Sequence, residues 1–533
     1  MKKILFLTLL AVHCHAAYTQ PIILEWQACF GSPAREIVYD VCATGDGYIL
    51  AASKVINSRI EILLIRTDLQ GELVWEKLIH SGVPRKILPA GNDTYYVFTD
   101  SGAVDGDVTF NPYPDAGTNF WIIKINGQGD IIWDKMYGGN CWEGGWDACL
   151  THDGGLACLG LTCSSDGDIS NYYGLWDTWL LRTDSLGNKV WDFTIGTAFL
   201  DFPSAIIQTS DHGFLVASGS MPTTGGNITC QPYDLVTSDI VLFKIDSMAN
   251  IQWQQCIGGS SNEAVQDIIE VEDGYLLACI VDAADGDMTG SGYHYGYNSQ
   301  GHPYPDVWLA KLDFEGNILW QKCYGGTARD VPNSIFPTPD GGYIVIGETE
   351  SNDGDVSGKH NPHGSYSDIW VFKINASGNL LWQKCFGGLG YERLDWSGVL
   401  DIGDGRYVIT ATLQTNGNSG DINCMTTPAG GSDIWLIQLR DTTYTSINEQ
   451  ADYSKSFSLY PNPATLSTWI ELPEHDIHAI MQLQLISPTG RTLYEALAKG
   501  RFHQIVLESY PAGLYLVRLW DGEHWWVQKL MKH

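Results

Sequence analysis

One phrase recurs along most of the chain and sets what it can fold into. Its clearest copy runs Asp-Ile-Trp-Val-Phe-Lys-Ile-Asn from Asp368, then Gly-Asn-Leu-Leu-Trp-Gln-Lys-Cys-Phe-Gly-Gly to Gly388. The second Trp of the phrase falls at Trp26, Trp75, Trp133, Trp191, Trp253, Trp320 and Trp382, at spacings of 49, 58, 58, 62, 67 and 62 residues. That period accommodates four short strands and one extended loop per unit. In the sixth unit, alternation and turn chemistry place strands at 333–339, 343–348, 368–374 and 379–386. Asp340, Gly341 and Gly342 form one tight turn there, and Gly378 and Asn379 the other. The chain opens with a lone fourth strand, 22–30, and its last unit stops after a third strand, 433–439. Pairing the two closes a ring and removes two exposed edges. The prediction is an all-β protein: a seven-bladed β-propeller over 21–441, closed by its N-terminal strand.

At 533 residues the chain exceeds what one core usually organises. Residues 442–455 are polar without alternation and read as a linker; 456–533 form a second small β unit, an Ig-like sandwich of six or seven strands. The net charge of −32 is uneven. The first 16 residues contribute +2 and residues 451–533 contribute −1, leaving −33 on residues 17–450. So acidic a body repels phosphate backbones and anionic lipid, which argues against nucleic-acid or membrane-surface binding. Lys2, Lys3, the apolar run 4–12 and the small residues at Ala16 and Ala17 read as a secretory signal peptide over 1–16. No later stretch is long enough for a transmembrane segment.

Several resemblances follow from these motifs. The repeat resembles kelch repeats, and the Gly four residues before the Trp, as in Gly71 and Trp75, resembles the tryptophan-docking pattern of quinoprotein-type propellers. No array suited to a quinone accompanies it. In the C-terminal unit, Tyr460-Pro461-Asn462-Pro463, the Ser487–Gly490 turn, Pro511 to Tyr515 including Gly513, and the terminal run with Lys529 resemble the type IX secretion (Por) type A sorting domain of Bacteroidetes cargo. That resemblance implies export by the type IX machinery to the medium or to the outer-membrane surface of a Gram-negative bacterium.

Twelve cysteines follow Cys14 in a compartment that permits disulfides. Cys29, Cys256, Cys323 and Cys385 each lie three residues after the repeated Trp, and Cys158 and Cys279 share another repeated slot. Such regularity favours small apolar fillers over bridges. Cys141 with Cys163, or Cys230 with Cys424, are candidate pairs.

The conspicuous polar motif is Asp-Gly-Asp between strands two and three: Asp105 and Asp107, Asp166 and Asp168, Asp285 and Asp287, Asp353 and Asp355. Ser419-Gly-Asp421 is a degraded copy and the fourth unit lacks it. Such pairs could contribute to a Ca2+ site, the one cofactor the sequence suggests, although a repeated turn explains them as well. The Asp opening strand three (Asp177, Asp239, Asp306, Asp368, Asp433) reads as structural. The loops that carry the motif emerge at one end and hold aromatics and amides suited to sugar rings or peptides: Tyr172, Tyr173 and Trp176; Tyr293, Tyr295, Tyr297 and Tyr304; His360, Asn361, His363 and Tyr366. His294, His302, His360 and His363 would form a transition-metal site if the loops converged. No metalloprotease, nucleophile-elbow or Walker motif occurs. The reading is a surface propeller that binds a glycan or protein through its long-loop face. A carbohydrate-active lyase or hydrolase using acids on that face, and a structural or adhesion component, are the alternatives.

Overall fold

The computed structural model describes residues 21–443 apart from 105, 222–225, 234–235, 363–365, 395–397, 415–417 and 425–431. It describes 457–532 apart from 461, 463, 472–480, 488–491, 499–501, 508–509, 512 and 521–524. The expected signal peptide, Asp105, His363, Pro461 and Pro463 lie outside the described residues. Two compact units meet at Thr442 and Thr443. The fold is all-β, with one short 3-10 turn at Gly286–Met288 among the described residues.

In the larger unit, six four-stranded antiparallel sheets pair their strands in chain order: sheet 1 over 36–79, sheet 2 over 83–137, sheet 3 over 143–195, sheet 4 over 201–257, sheet 5 over 264–324 and sheet 6 over 330–386. Sheet 7 is composite. Its strands Tyr391–Arg393 and Val399–Gly403 pair with Arg406–Gln414, then Asp433–Asp441, and the N-terminal strand Ile22–Phe30 completes it, with Trp26 opposite Gln438 and Phe30 opposite Ile434. The first strand of each sheet touches the first strand of the next, and sheet 7 touches sheet 1.

Each sheet is apolar on both faces, so the core is divided into clusters between sheets. Ile49, Ala51, Ile62 and Leu64 of sheet 1 pack on Ile87, Val97 and Trp121 of sheet 2. On its other face, Leu50, Ala52, Leu63 and Ile65 pack on Val408, Ile434 and Leu436 of sheet 7. Burial on both faces explains why central strands such as Asp368–Ile374 read as near-continuous hydrophobic runs rather than as alternating ones.

The repeated Trp reaches from its own outer strand to the turn between strands three and four of the following sheet. A Cβ added at Gly71 would lie 2.6 Å from the Trp26 ring, and at Gly129 or Gly187 2.7 Å from Trp75 or Trp133. Gly316 and Gly378 lie under Trp253 and Trp320 in the same way. These glycines have positive φ, so they meet two demands at once: a left-handed turn and room for an indole. Ala249 replaces the glycine at the junction of sheets 3 and 4, with φ 65°. Trp191 there donates Nε1–H to Ser247 O at 3.0 Å.

The innermost strand of sheet 6 is Asp330–Pro337, beginning three residues before the expected 333. Pro332 discouraged a strand there, but an edge strand tolerates a residue that donates no ladder hydrogen bond. Pro84 and Pro203 occupy the same register in sheets 2 and 4, each one residue before a β-bulge.

Two cysteine expectations are corrected. Cys29 and Cys256 are not fillers, and Cys230 does not pair with Cys424. The bridges are Cys29–Cys424, Cys141–Cys163 and Cys230–Cys256. Cys29 and Cys256 point at the long loop of their own sheet, and where that loop offers a cysteine a disulfide forms. Where it offers serine the thiol stays free: Cys323 lies 3.2 Å from Ser291 Oγ, and Cys385 faces Ser357 O.

The smaller unit has two sheets. Ser458–Tyr460, Ser467–Glu471 and Phe502–Val506 form one; Thr492–Ala498, Met481–Ile486, Gly513–Trp520 and Trp525–Lys532 form the other. Ile470 and Ile505 from the first pack with Leu483, Leu485, Val517 and Leu519 from the second. Asn462 bridges to the last strand, donating Nδ2–H to Lys529 O at 2.7 Å and accepting from Met531 N–H at 2.9 Å, and Tyr515 donates its hydroxyl proton to Pro511 O.

Removing the indole in Trp75→Ala should cost about 2–4 kcal/mol in urea denaturation, whereas Ala249→Gly, which relieves a left-handed backbone, should gain roughly 1 kcal/mol. Peptide mapping of the oxidised protein should recover the three bridges, with Cys323 and Cys385 alkylated only after unfolding.

Candidate functional site

The loops between strands two and three emerge at the same end as the connections between successive sheets, and the Asp-Gly-Asp motif ties the two sets together. Its first Asp accepts the backbone N–H of the loop from the preceding sheet: Asn140 to Asp166 at 2.9 Å, Ser260 to Asp285 at 2.8 Å, Thr327 to Asp353 at 2.8 Å. Its second accepts from the first glycine after strand four: Gly138 to Asp168 and Gly258 to Asp287, both at 3.0 Å, and Gly325 to Asp355 at 3.4 Å. Asp107 accepts from His80 N–H. In sheet 4, where the motif is missing from the sequence, Asn227 accepts from Gly196 at 3.1 Å. Ser419 and Asp421 do the same work in sheet 7. An amide and a hydroxyl fill this role as well as a carboxylate does, so the motif is an inter-sheet clasp. Among the described residues, no three His, Cys, Asp or Glu side chains gather as a metal would require.

Beneath this end lie paired buried acids. The Asp that opens strand three stands beside the acid that opens the next sheet: Asp177 with Asp201, Asp239 with Glu263, Asp306 with Asp330, Asp368 with Glu392. All are essentially inaccessible to solvent. Gly325 sits between one pair, since a Cβ there would meet Asp330 Oδ2 at 2.7 Å and Asp306 Oδ1 at 2.9 Å. Burial, with the facing carboxylate adding to it, pushes Asp177 and Asp330 up to about 7 and Glu263 and Glu392 to about 9. Asp177, Asp306 and Asp368 each keep one oxygen without a hydrogen-bond donor. Burying two carboxyls so near each other favours the neutral form of one of them.

Two of the candidate histidines cap these pairs. His294 Nδ1 lies 2.9 Å from Asp306 Oδ2 and His360 Nδ1 2.7 Å from Asp368 Oδ2, while His360 Nε2 is 3.3 Å from Asp421. Hydrogen bonding to those carboxylates raises both histidines above the ordinary value. His302 is exposed and its N–H bonds Asn298, so the structure gives the described histidines separate partners.

The candidate aromatics divide. Tyr293 is buried, donating to Tyr304 O at 2.6 Å; Tyr173 donates its backbone N–H to Asp177; Trp176 packs edge-on against Trp142 at 4.9 Å between ring centres. Tyr304 is half-buried and braces its own loop through a backbone bond to Gly296. Tyr295 and Tyr297 are 64% and 61% exposed, and Tyr172 and Tyr366 also face solvent. Phe110, 71% exposed, Phe199 and Tyr233 join them at this end.

A second site lies midway along the innermost strands, and the sequence reading missed it. The first strands of sheets 1 to 6 each carry a bulge at one register position, at Tyr39, Arg85, Trp146, Ser204, Gln266 and Asn333. A bulge re-aims side chains, and here the last five, with the residues that follow, line a cavity of about 300 Å³. Asp40, Lys86, Asp147 and Asp267 carry its charge. Lys86 Nζ lies 3.4 Å from Asp147 Oδ1. Burial works against its charge, but Asp147, Asp40 and Asp267 outweigh burial and hold it protonated. Burial raises Asp40 above the usual carboxylate value and lifts Asp267 to about 7. Asp40, Asp147 and Asp267 also accept N–H bonds from Ile87, Ile206 and Ile335 of the next sheet. The signal was present as an acid four residues after the strand-opening acid: Glu36 and Asp40, Glu143 and Asp147, Glu263 and Asp267.

Residues 458–533 match the family described as secretion system C-terminal sorting domain. The protein is therefore secreted or carried at the cell surface. No helix among the described residues is long and apolar enough to cross a membrane. No curated protein matches the chain. Among solved structures, the acylaminoacyl peptidase of Pyrococcus horikoshii is 11% identical at a TM-score of 0.38, over 83% of this chain and 59% of that one. This chain thus spans about three fifths of the peptidase's length. A DUF4221 family member from Bacteroides vulgatus is 9% identical at 0.32, over 79% and 98%. Likenesses this slight do not bear on activity.

A carboxyl that keeps its proton in the fold stabilises it at acidic pH, and that contribution drains away as pH rises through its folded value. The paired acids, with His294 and His360 acting in the same sense, should make the melting temperature fall from about pH 5 to about pH 9. Below about pH 4, ion-paired carboxylates such as Asp211, held at about 2 against burial by Lys244, Thr209 and Gly213, reverse the trend. Glu392→Gln, which needs no proton, should flatten the alkaline fall in circular-dichroism melts.

Proposed function

We propose that the chain is a type IX cargo: a seven-bladed, kelch-like β-propeller over 21–441 closed by its N-terminal strand, joined by a linker at 442–455 to an Ig-like sorting sandwich at 456–533 and made with a signal peptide at 1–16. Seven interfacial clusters and the Trp26 contact with Gly71 support closure. The tail addresses the protein to the export machinery.

At its destination the long-loop end binds a glycan. The observation that carries this is the set of solvent-facing rings at that end, Tyr295 and Tyr297 foremost, on loops held rigidly by the clasps. Exposed aromatic faces beside amides suit sugar rings, and rings withheld from the core are available for contact. The buried acids of this end lie beneath the clasps with partners of their own, which favours binding over turnover.

Purified 21–533 should bind surface or host polysaccharides on a glycan array without generating new reducing ends. Tyr295→Ala with Tyr297→Ala should weaken that binding by roughly tenfold or more without lowering the melting temperature. Unchanged binding in the double variant, or turnover of the bound glycan, would sink this reading.

A further inference from the structure

The cavity midway along the innermost strands has no role in loop-end binding. It holds about 300 Å³, the lower end of the range for small-molecule sites, and polar side chains from sheets 1 to 6 face it. Its walls on sheets 1 to 6 are fixed, because the lining residues there sit at or beside a bulge in a paired strand.

Charge selects the occupant. Asp40, Asp147 and Asp267 enter from sheets 1, 3 and 5 against the ammonium of Lys86, which Asp147 holds most closely. Arg85 adds little, since its Nε is 2.9 Å from Asp100. Among the described residues no Lys or Arg pairs with Asp267, whose oxygens take only the N–H groups of Ile335 and Ile268. The cavity therefore has negative charge in surplus and disfavours anions. A metal ion is disfavoured too, because no three acidic, His or Cys groups stand close enough to ligate one among the described residues. A neutral sugar would leave the surplus unanswered.

We propose that this cavity is a binding site for a small hydroxylated primary amine of amino-sugar size, its ammonium on Asp267 and its hydroxyls on Gln266, Asn333 and Ser334. Gln266 makes no hydrogen bond among the described residues and is free to serve the ligand. The Trp146 indole supplies a wall against which a cation or a sugar face packs.

Titration calorimetry of purified 21–533 with glucosamine, glucose and calcium chloride, in buffer at about pH 7.5, above the value to which burial lifts Asp267, tests this. Saturable heat with glucosamine and none with glucose or calcium is expected. Asp267→Asn should weaken glucosamine by roughly tenfold or more, while Tyr295→Ala with Tyr297→Ala leaves it unchanged. If Asp267→Asn does not fold, Gln266→Leu must weaken it instead. The absence of saturable glucosamine binding, equal binding of glucose, calcium binding lost in Asp267→Asn, or full affinity in the folded variant would each overturn the assignment. So would loss of glucosamine binding in the tyrosine variant, which would place the amine at the loop end.

Discussion

The contact on which the architecture depends is an indole lying over a backbone that has no side chain. Trp26, Trp75, Trp133, Trp253 and Trp320 each leave their own outer strand and cover the strand-three turn of the next sheet, where glycine provides both a left-handed φ and the space. Burying an aromatic ring in this way stabilises each junction by roughly 2 kcal/mol. Trp26 makes the same contact with Gly71, so the first strand of the chain, in sheet 7, is held by sheet 1 as well as by Asp433–Asp441.

That arrangement has an electrostatic consequence at the loop end. Strands three and one of successive sheets both begin there, and each contributes an acid to the same small volume beside a glycine. Two carboxylates cannot both be charged in so dry a place. Raising the value of one acid in each pair resolves the conflict, and it links the junctions to pH. The clasps above use carboxylates differently: Asp166 and Asp353 are exposed and accept backbone N–H groups, which keeps them below the ordinary value. One residue type thus performs two tasks, separated by a few ångströms of depth.

The strand pattern, the turns and the composite seventh sheet were legible because they depend on local periodicity and on residues such as Asp340 and Gly341 that permit few conformations. The bridges were misread because Cys29 and Cys256 share a slot with Cys323 and Cys385, and a slot records which way a side chain points but not what it meets. The clasp role of the Asp-Gly-Asp motif was not legible because its partners, the N–H groups of Gly138, Gly258 and Gly325, belong to the backbone and leave no mark in the sequence.

By itself the sequence determined the all-β class, the repeated strand pattern and where the chain is sent, since each follows from short-range periodicity or from a contiguous motif. Only the tertiary structure decided which acids are buried beside one another, which cysteines bond, which tyrosines are left in water, and that Asp40, Lys86, Asp147 and Asp267 surround one cavity. Those facts depend on distances between residues tens to hundreds of positions apart, and such distances come into being only when the sheets pack on one another.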